Sequence, residues 1–208
     1  MIVSNDYVMK QKVIFVKENE SLEQALNKLT ESSYRCIPVL DENEKFVGNV
    51  YKVHILEYER EKGDLAIPVQ ELVRDQEGFV NESDPFFKVF SSIKRLPYLA
   101  ILDEDADFLG ILTHANVLTV LENAWGANNG SYSLTIGTVE FAGALQKMLK
   151  IVNKFCSVQS VISLNNNSKY ARRVCIVLPK NIDSKELDRI EKDLNKNNFI
   201  VTDVEKLN

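Results

Sequence analysis

An internal repeat constrains the fold of this chain more than any other feature of its sequence. Residues 37–50 and residues 99–112 share one order: an apolar run, an acidic turn, a second apolar run, and a glycine at the same place. Upstream of these blocks, the run that begins at Phe15 matches the run that begins at Phe79. Two copies of one unit predict two similar halves that bury their uncovered sheet faces against each other.

Each copy predicts the order strand, helix, strand, strand, helix. The first strand is expected over residues 13–17, and Ser21 with Gln24 has the form of a capping box at the start of the next helix. The apolar residues that follow at helical spacing are Leu22, Ala25, Leu26 and Leu29. In the second copy, Asp84 followed by a proline predicts the start of the matching helix. The last helix of each copy is expected directly after the glycine-bearing strand.

The last third of the chain is a different unit, separated from the repeats by a cluster of helix-breaking residues at 125–130. Hydrophobic periodicity predicts six elements and one turn after it. They are a strand at 132–138, a helix at 141–155, a strand at 158–164, a turn at 165–168, a strand at 174–178, a helix at 183–196 and a strand at 199–204. This βαββαβ order is the ferredoxin-like split unit.

The composition argues against several classes of function. The net charge is −5, whereas a nucleic-acid surface needs clustered basic residues. No apolar stretch reaches the roughly 20 residues that span a bilayer, and the first residues lack the basic and apolar regions of a signal peptide. We therefore expect a cytoplasmic protein that binds no nucleic acid and does not insert into a membrane.

Catalytic and metal-binding motifs are not visible in the sequence. Cys36, Cys156 and Cys175 lack CxxC spacing, so we interpret them as small buried hydrophobic residues. The two histidines, His54 and His114, belong to no metal motif and have no obvious nucleophile beside them. The acidic residues of the two repeat turns are typical of tight turns, where Asp favours the backbone geometry. We expect neither an enzyme nor a bound metal or cofactor.

The repeated unit resembles the CBS domain, and the two copies together resemble a CBS domain pair, or Bateman module. In the last third, Gly143-Ala144-Leu145 resembles the Gly-x-Leu of ACT domains. The resemblance implies an α/β (α+β) fold class: a CBS domain pair followed by a ferredoxin-like βαββαβ (ACT-like) domain. The implied domains are CBS repeat 1 at 1–62, CBS repeat 2 at 63–125 and the ACT-like domain at 131–208.

A ligand-binding signal follows from the same resemblance. CBS domains that bind adenosine ligands carry the pattern Gly-x-x-Thr/Ser-x-x-Asp, in which the hydroxyl meets phosphate at a helix N-terminus and the acid holds the ribose hydroxyls. The second repeat has Gly110, Thr113 and Asn116 at these positions, so the acid is replaced by an amide. Loss of that negative charge leaves room for a ligand with phosphate on both sides of the ribose. The first repeat has Tyr51 and His54 instead.

The resemblance places the closing helix of one repeat opposite two strands of the other. The implied ligand-binding residues are Met9, Lys12, Ile14, Tyr34, Arg35, Cys36, Thr113, His114, Ala115 and Asn116. Lys12 and Arg35 would bring positive charge to a phosphate, which Arg can bind through two hydrogen bonds. Ile14 and Tyr34 would sandwich a purine. The alternative for His114, which the helix start favours, is an exposed residue without a ligand.

The resemblance also implies a second cleft in the CBS pair, which we call the second mouth. It is expected to be empty or used for contacts between chains, because it is aromatic and carries no basic group. Its residues would be Tyr51, His54, Gln76, Gly78, Pro97 and Tyr98.

A CBS pair followed by an ACT-like domain resembles the small CBS proteins of Gram-positive bacteria that receive the second messenger cyclic di-AMP. The resemblance implies a signalling protein that binds this nucleotide, forms a homodimer through the closing helices of its CBS pair, and modulates a partner protein. Three alternatives stay open. They are an energy sensor for AMP, ADP or ATP in the same cleft, an amino-acid sensor acting through the ACT-like domain, and an assembly module without a ligand.

Overall fold

The computed structural model describes residues 6–139, 142–164 and 172–207. The chain divides into two compact units, residues 1–118 and residues 119–208. The division lies inside the closing helix of the second repeat, so the three predicted domain boundaries remain predictions. Within the described residues, no helix is long and apolar enough to cross a membrane.

The first repeat forms a small three-stranded sheet and two helices, one between its first two strands and one after its last strand. Its elements are β2 (Val16–Lys17), α1 (Leu22–Glu31), β3 (Cys36–Leu40), β4 (Phe46–Tyr51) and α2 (Lys52–Lys62). The sheet order is β2-β3-β4, with β2 parallel and β4 antiparallel to β3. The predicted capping box is confirmed, because the Ser21 hydroxyl accepts a hydrogen bond from the Gln24 N–H at 3.2 Å. Leu22, Ala25 and Leu29 are buried against Val39 and Val50 in one core.

The second repeat has the same element order. Its elements are β5 (Phe79–Asn81), α3 (Phe87–Ser92), β6 (Tyr98–Leu102), β7 (Phe108–Thr113) and α4 (His114–Trp125). The predicted start of α3 at Asp84 is wrong. The Asp84 carboxylate instead accepts hydrogen bonds from the Asn81 N–H at 2.8 Å and from Lys88 at 2.7 Å. The carboxylate therefore stabilises the turn after β5, and the helix begins at Phe87.

The predicted strand over residues 13–17 is confirmed only at its end, where Val16 and Lys17 form β2, and a further short strand lies upstream of it. β1 (Val8–Met9) pairs antiparallel with β7 of the second repeat, Val8 opposite Ile111. A single 3-10 turn, Lys10–Lys12, then leads the chain back to β2 in the sheet of the first repeat. The second sheet therefore has the order β1-β7-β6-β5 and includes a strand from the other half of the unit.

The repeated glycines explain this crossing. A Cβ atom built on Gly110 would lie 2.1 Å from the Val8 carbonyl oxygen, and one on Gly48 would lie 2.7 Å from the Arg74 carbonyl oxygen. Each glycine therefore lets the segment that leads into one repeat pass against the strand of the other. The same crossing on the first-repeat side is held by a hydrogen bond from the Asn49 N–H to the Arg74 carbonyl, 2.7 Å long.

The second unit has the predicted ferredoxin-like order. Its elements are β8 (Gly130–Thr138), α5 (Ala144–Val152), β9 (Ser160–Leu164), β10 (Arg172–Pro179), α6 (Ser184–Lys196) and β11 (Ile200–Lys206). All pairings are antiparallel, in the order β11-β8-β10-β9. Met148 and Val152 of α5 pack with Ile190 and Leu194 of α6 in the core over this sheet. The predicted turn at 165–168 lies outside the described residues, as does the expected start of α5 at 141.

Candidate ligand-binding site

A cavity of about 380 Å³ lies between elements of the two repeats, and we call it the inter-repeat cavity. Six of the predicted ligand residues line it: Lys12, Ile14, Tyr34, Arg35, Cys36 and Thr113. The other lining residues are Val8, Val13, Ser33, Ile37, Pro38, Pro97, Tyr98 and Ile111. The walls are thus largely apolar, with two cations, which suits a planar ligand that carries negative charge.

Two pieces of backbone in the first repeat carry four of the lining residues. The 3-10 turn after β1 carries Lys12, and Ile14 follows it. The loop between α1 and β3 carries Tyr34 and Arg35, and its shape is fixed where the Ser32 hydroxyl accepts a hydrogen bond from the Tyr34 N–H at 3.3 Å. Because β1 pairs with β7, the cavity wall that carries Lys12 and Ile14 depends on the crossing of the two repeats.

The two cations of the cavity are available to a ligand. Lys12 and Arg35 have no carboxylate partner within 4.0 Å among the described residues. Arg35 is exposed, so its guanidinium reaches solvent at the mouth. Thr113 lies at the start of α4, where free amide groups favour negative charge. Together these groups give the cavity one positive side.

Asn116 has a structural role in the free protein. The Thr113 N–H and hydroxyl donate to the Asn116 side-chain oxygen at 3.1 Å and 2.5 Å, and the Thr113 hydroxyl accepts from the Asn116 N–H at 3.3 Å. This is a reciprocal cap at the start of α4. Asn116 is not among the cavity's lining residues. Contact with a ribose therefore remains a prediction that needs this side chain to turn away from Thr113.

Three further predicted residues also lie outside the lining of the inter-repeat cavity. Met9 is an exposed residue of β1. His114 is exposed, and its Nδ1 lies 3.1 Å from the Pro97 carbonyl oxygen. Ala115 follows in the first turn of α4. His114 and Ala115 follow Thr113 in the chain, Met9 pairs with Gly110 of β7, and contact of all three with a ligand remains a prediction.

A buried polar cluster forms the back wall of the inter-repeat cavity. The Tyr98 hydroxyl donates to the Asn49 side-chain oxygen at 2.5 Å and lies 3.6 Å from the Cys36 sulfur. Burial raises the pKa of the Cys36 thiol to about 11 and raises the pKa of Tyr98 well above its usual range. Both groups are therefore neutral near pH 7. A neutral buried thiol is a weak nucleophile, which makes Cys36 a wall residue.

Sequence reasoning missed Tyr98 as part of this site. It assigned Tyr98 to the second mouth, because Tyr98 and Cys36 occupy equivalent positions of the two repeats. In the structure the two side chains meet, so Tyr98 lines the inter-repeat cavity from the far repeat. The equivalence of the two positions is the signal that would have found it, because equivalent buried residues of two packed repeats can contact each other.

Two residues predicted for the second mouth, Tyr51 and Pro97, line a separate cavity. Tyr51 donates to the Asp75 carboxylate at 2.6 Å, and burial together with this bond raises the pKa of Tyr51. Tyr51 and Pro97 line a cavity of about 510 Å³ against α2, together with Arg35, Cys36, Lys52, Val53 and Leu56. We call this the α2 cavity. Only Tyr51 and Pro97 of the six residues predicted for the second mouth line this cavity, which Arg35 and Lys52 also line, so the expectation of a second mouth without a basic group stays a prediction.

Comparisons with known proteins agree with this architecture. Residues 3–61 match the family model of the CBS domain. No curated protein matches the chain by sequence. Solved structures do match its fold, and three of them are informative.

The CbpB protein of Listeria monocytogenes, solved in complex with c-di-AMP, is 24% identical, with a TM-score of 0.53 over 58% of this chain and 94% of its own. CBSX2, solved in complex with AMP, is 23% identical, with a TM-score of 0.50 over 58% of this chain and 95% of its own. A CBS domain pair/ACT domain protein of Thermotoga maritima is 24% identical, with a TM-score of 0.51 over 58% of this chain and 96% of its own. At these identities the similarity shows the fold.

Proposed function

Since residues 3–61 form a CBS domain and the first unit has the fold of a CBS domain pair, we propose that the protein is a nucleotide-sensing regulator whose ligand is cyclic di-AMP. The observation that carries the proposal is the inter-repeat cavity, where apolar walls meet the unpaired cations Lys12 and Arg35. Apolar walls would hold the base, and the cations would hold phosphate.

The protein would act as a regulator and not as an enzyme. The Cys36 thiol in the cavity wall is neutral near pH 7 because burial raises its pKa to about 11, which makes it a weak nucleophile. Ligand binding would instead change how the cytoplasmic protein contacts a partner protein. The cavity suits this role because it joins segments of both repeats, so a ligand there contacts both at once.

AMP, ADP or ATP is the second candidate ligand. A cavity of about 380 Å³ lies within the roughly 300–1,000 Å³ typical of small-molecule sites, so it has room for one mononucleotide. The structural neighbour CBSX2 was solved with AMP. Titration calorimetry with cyclic di-AMP, AMP and ATP tests the proposal directly. Saturable binding of none of the three would contradict nucleotide sensing by this protein.

The substitution Asn116→Asp is expected to change the preference between the two ligand classes. A carboxylate can accept the same two hydrogen bonds from Thr113, so the start of α4 should stay intact. The new charge would favour the ribose hydroxyls of AMP and repel the ring phosphates of cyclic di-AMP. We expect the ratio of the two affinities to shift toward AMP by about tenfold, as measured by paired calorimetric titrations.

Asn123→Asp is the matched control, because it adds the same charge to α4 two turns further along. It should leave the ratio unchanged. An unchanged ratio for Asn116→Asp as well would mean that residue 116 is not near the ribose.

We also propose that the protein is a homodimer through its CBS pair. Ile55 and Val117 of the closing helices are buried within their own unit, but Leu118 of α4 is 57% exposed. Association of this face with a second copy would cover it. Light scattering at micromolar concentration is expected to give twice the chain mass of 23.7 kDa. A stable monomer with and without nucleotide would contradict the dimer.

A further inference from the structure

The inter-repeat cavity and the α2 cavity share part of their walls. Arg35, Cys36 and Pro97 line both. Two contacts fix this shared wall to the start of α2: the Lys52 N–H donates to the Arg35 carbonyl oxygen at 3.0 Å, and Cys36 pairs with Tyr51 in the sheet. The two cavities are therefore neighbours on either side of one short segment.

The α2 cavity has the chemistry of a base-binding pocket. Its walls include the apolar side chains of Val53, Leu56 and Pro97 together with the ring of Tyr51. Val53 and Leu56 are 54% and 45% exposed, so a ligand can reach them. The lining contains no carboxylate. A planar apolar group with negative charge beside it would meet complementary surfaces here.

The cations are distributed along the two cavities in a row. Lys12 lines only the inter-repeat cavity, Lys52 lines only the α2 cavity, and Arg35 lines both. No described carboxylate lies within 4.0 Å of any of the three. This row fits a ligand with two phosphates between two bases better than it fits a mononucleotide, which would leave Lys52 and the apolar face of α2 without a partner.

We infer that the α2 cavity is a second-base site: one base of a cyclic dinucleotide enters the inter-repeat cavity, Arg35 meets the ring phosphates, and the other base packs on Val53 and Leu56. This inference rests on the proposed function and extends it by naming where the two ligand classes differ. AMP uses the first cavity alone. The cyclic dinucleotide uses both.

Leu56→Ser tests the inference, and Leu145→Ser is its matched control. Leu145 of α5 is 43% exposed, lines neither cavity and lies outside the closing helices that are proposed to form the dimer. Calorimetric titration of wild type and both variants with cyclic di-AMP and with AMP gives the readout. Leu56→Ser should weaken cyclic di-AMP binding about tenfold through lost apolar contact and leave AMP binding within about twofold. Leu145→Ser should change neither.

The outcomes separate this inference from the proposed function. Undiminished cyclic di-AMP affinity in Leu56→Ser, or an equal loss for AMP, overturns the second-base site while nucleotide sensing stands. Binding of AMP but not of cyclic di-AMP by the wild type overturns it as well. Binding of neither nucleotide contradicts both proposals. Val53→Ser, at the second exposed apolar residue of the cavity, should reproduce the Leu56→Ser result, and thermal melting of each variant verifies that it is folded.

Discussion

Gly110→Ala is expected to abolish nucleotide binding, with a loss of affinity of more than about a hundredfold, and to lower the melting temperature. The added Cβ would lie 2.1 Å from the Val8 carbonyl oxygen and 2.9 Å from the Tyr7 ring. The φ angle of 159° at this residue is also one that L side chains rarely adopt. The Val8 carbonyl belongs to the backbone, which cannot shift as easily as the end of a flexible side chain. β1 must therefore move away from β7. Overpacking of this kind costs roughly 1–3 kcal/mol.

The effect on binding exceeds the effect on stability because β1 leads directly into one wall of the cavity. Val8 lies in β1, and Lys12 and Ile14 come shortly after it in the chain. All three line the inter-repeat cavity. A displaced β1 therefore moves Lys12 and Ile14 together, the residues proposed to meet phosphate and base. Calorimetry measures the affinity, and thermal melting followed by circular dichroism measures the stability, at roughly 2–4 °C for each kcal/mol in a chain of this size.

Gly63→Ala is the control for the backbone effect alone. Gly63 ends α2 with φ of 76°, and a Cβ there would meet nothing within 4 Å. This variant should lose about 1 kcal/mol of stability through its left-handed conformation and bind nucleotide as the wild type does. If Gly110→Ala also bound normally, β1 would not form a wall of the ligand site.

Arg35→Ala is expected to weaken cyclic di-AMP binding by about ten- to a hundredfold. Charge-assisted hydrogen bonds to phosphate contribute roughly 1.5–3 kcal/mol, and 1.4 kcal/mol is about one decade of affinity. The residue has no described ion-pair partner to lose, so the substitution leaves no carboxylate unpaired. Arg35→Lys should give an intermediate loss, since it keeps the charge without the planar pair of donors.

Salt dependence and a distant arginine distinguish a phosphate contact from a general change in charge. Wild-type affinity should fall with added salt more steeply than that of Arg35→Ala, because one screened contact is missing in the variant. Arg60→Ala removes an exposed arginine from the last turn of α2, which lines neither cavity, and should bind normally. Equal losses for Arg35→Ala and Arg60→Ala would show that only the net charge matters.

Local patterns in the sequence predicted most of the fold. The repeat gave the order of both halves, the Ser21–Gln24 capping box gave the start of α1, and periodicity gave the ferredoxin-like unit. Pairings between distant residues were not predictable in this way. β1 contains only Val8 and Met9, too short a run to show a period, and nothing local indicates that its partner is β7 of the other repeat.

The same distinction applies to the site. Lys12, Arg35 and Thr113 line the inter-repeat cavity, as the resemblance to CBS domains implied. The inward position of Tyr98 and the nearness of α2 to Arg35 depend on how two repeats pack, which one repeat alone does not encode. Asn116 was assigned to a ligand from a motif, whereas its hydrogen bonds in the free protein are to Thr113.

The pairing of β1 with β7 has a consequence for the order of events during synthesis. Val8 and Ile111 are more than one hundred residues apart in the chain, and closing so long a loop is entropically costly and slow. A ribosome-bound chain can form the first sheet once β4 has emerged, but the wall that carries Lys12 has no partner strand until β7 follows. If the proposed function holds, a growing chain therefore cannot bind nucleotide until its second repeat is complete.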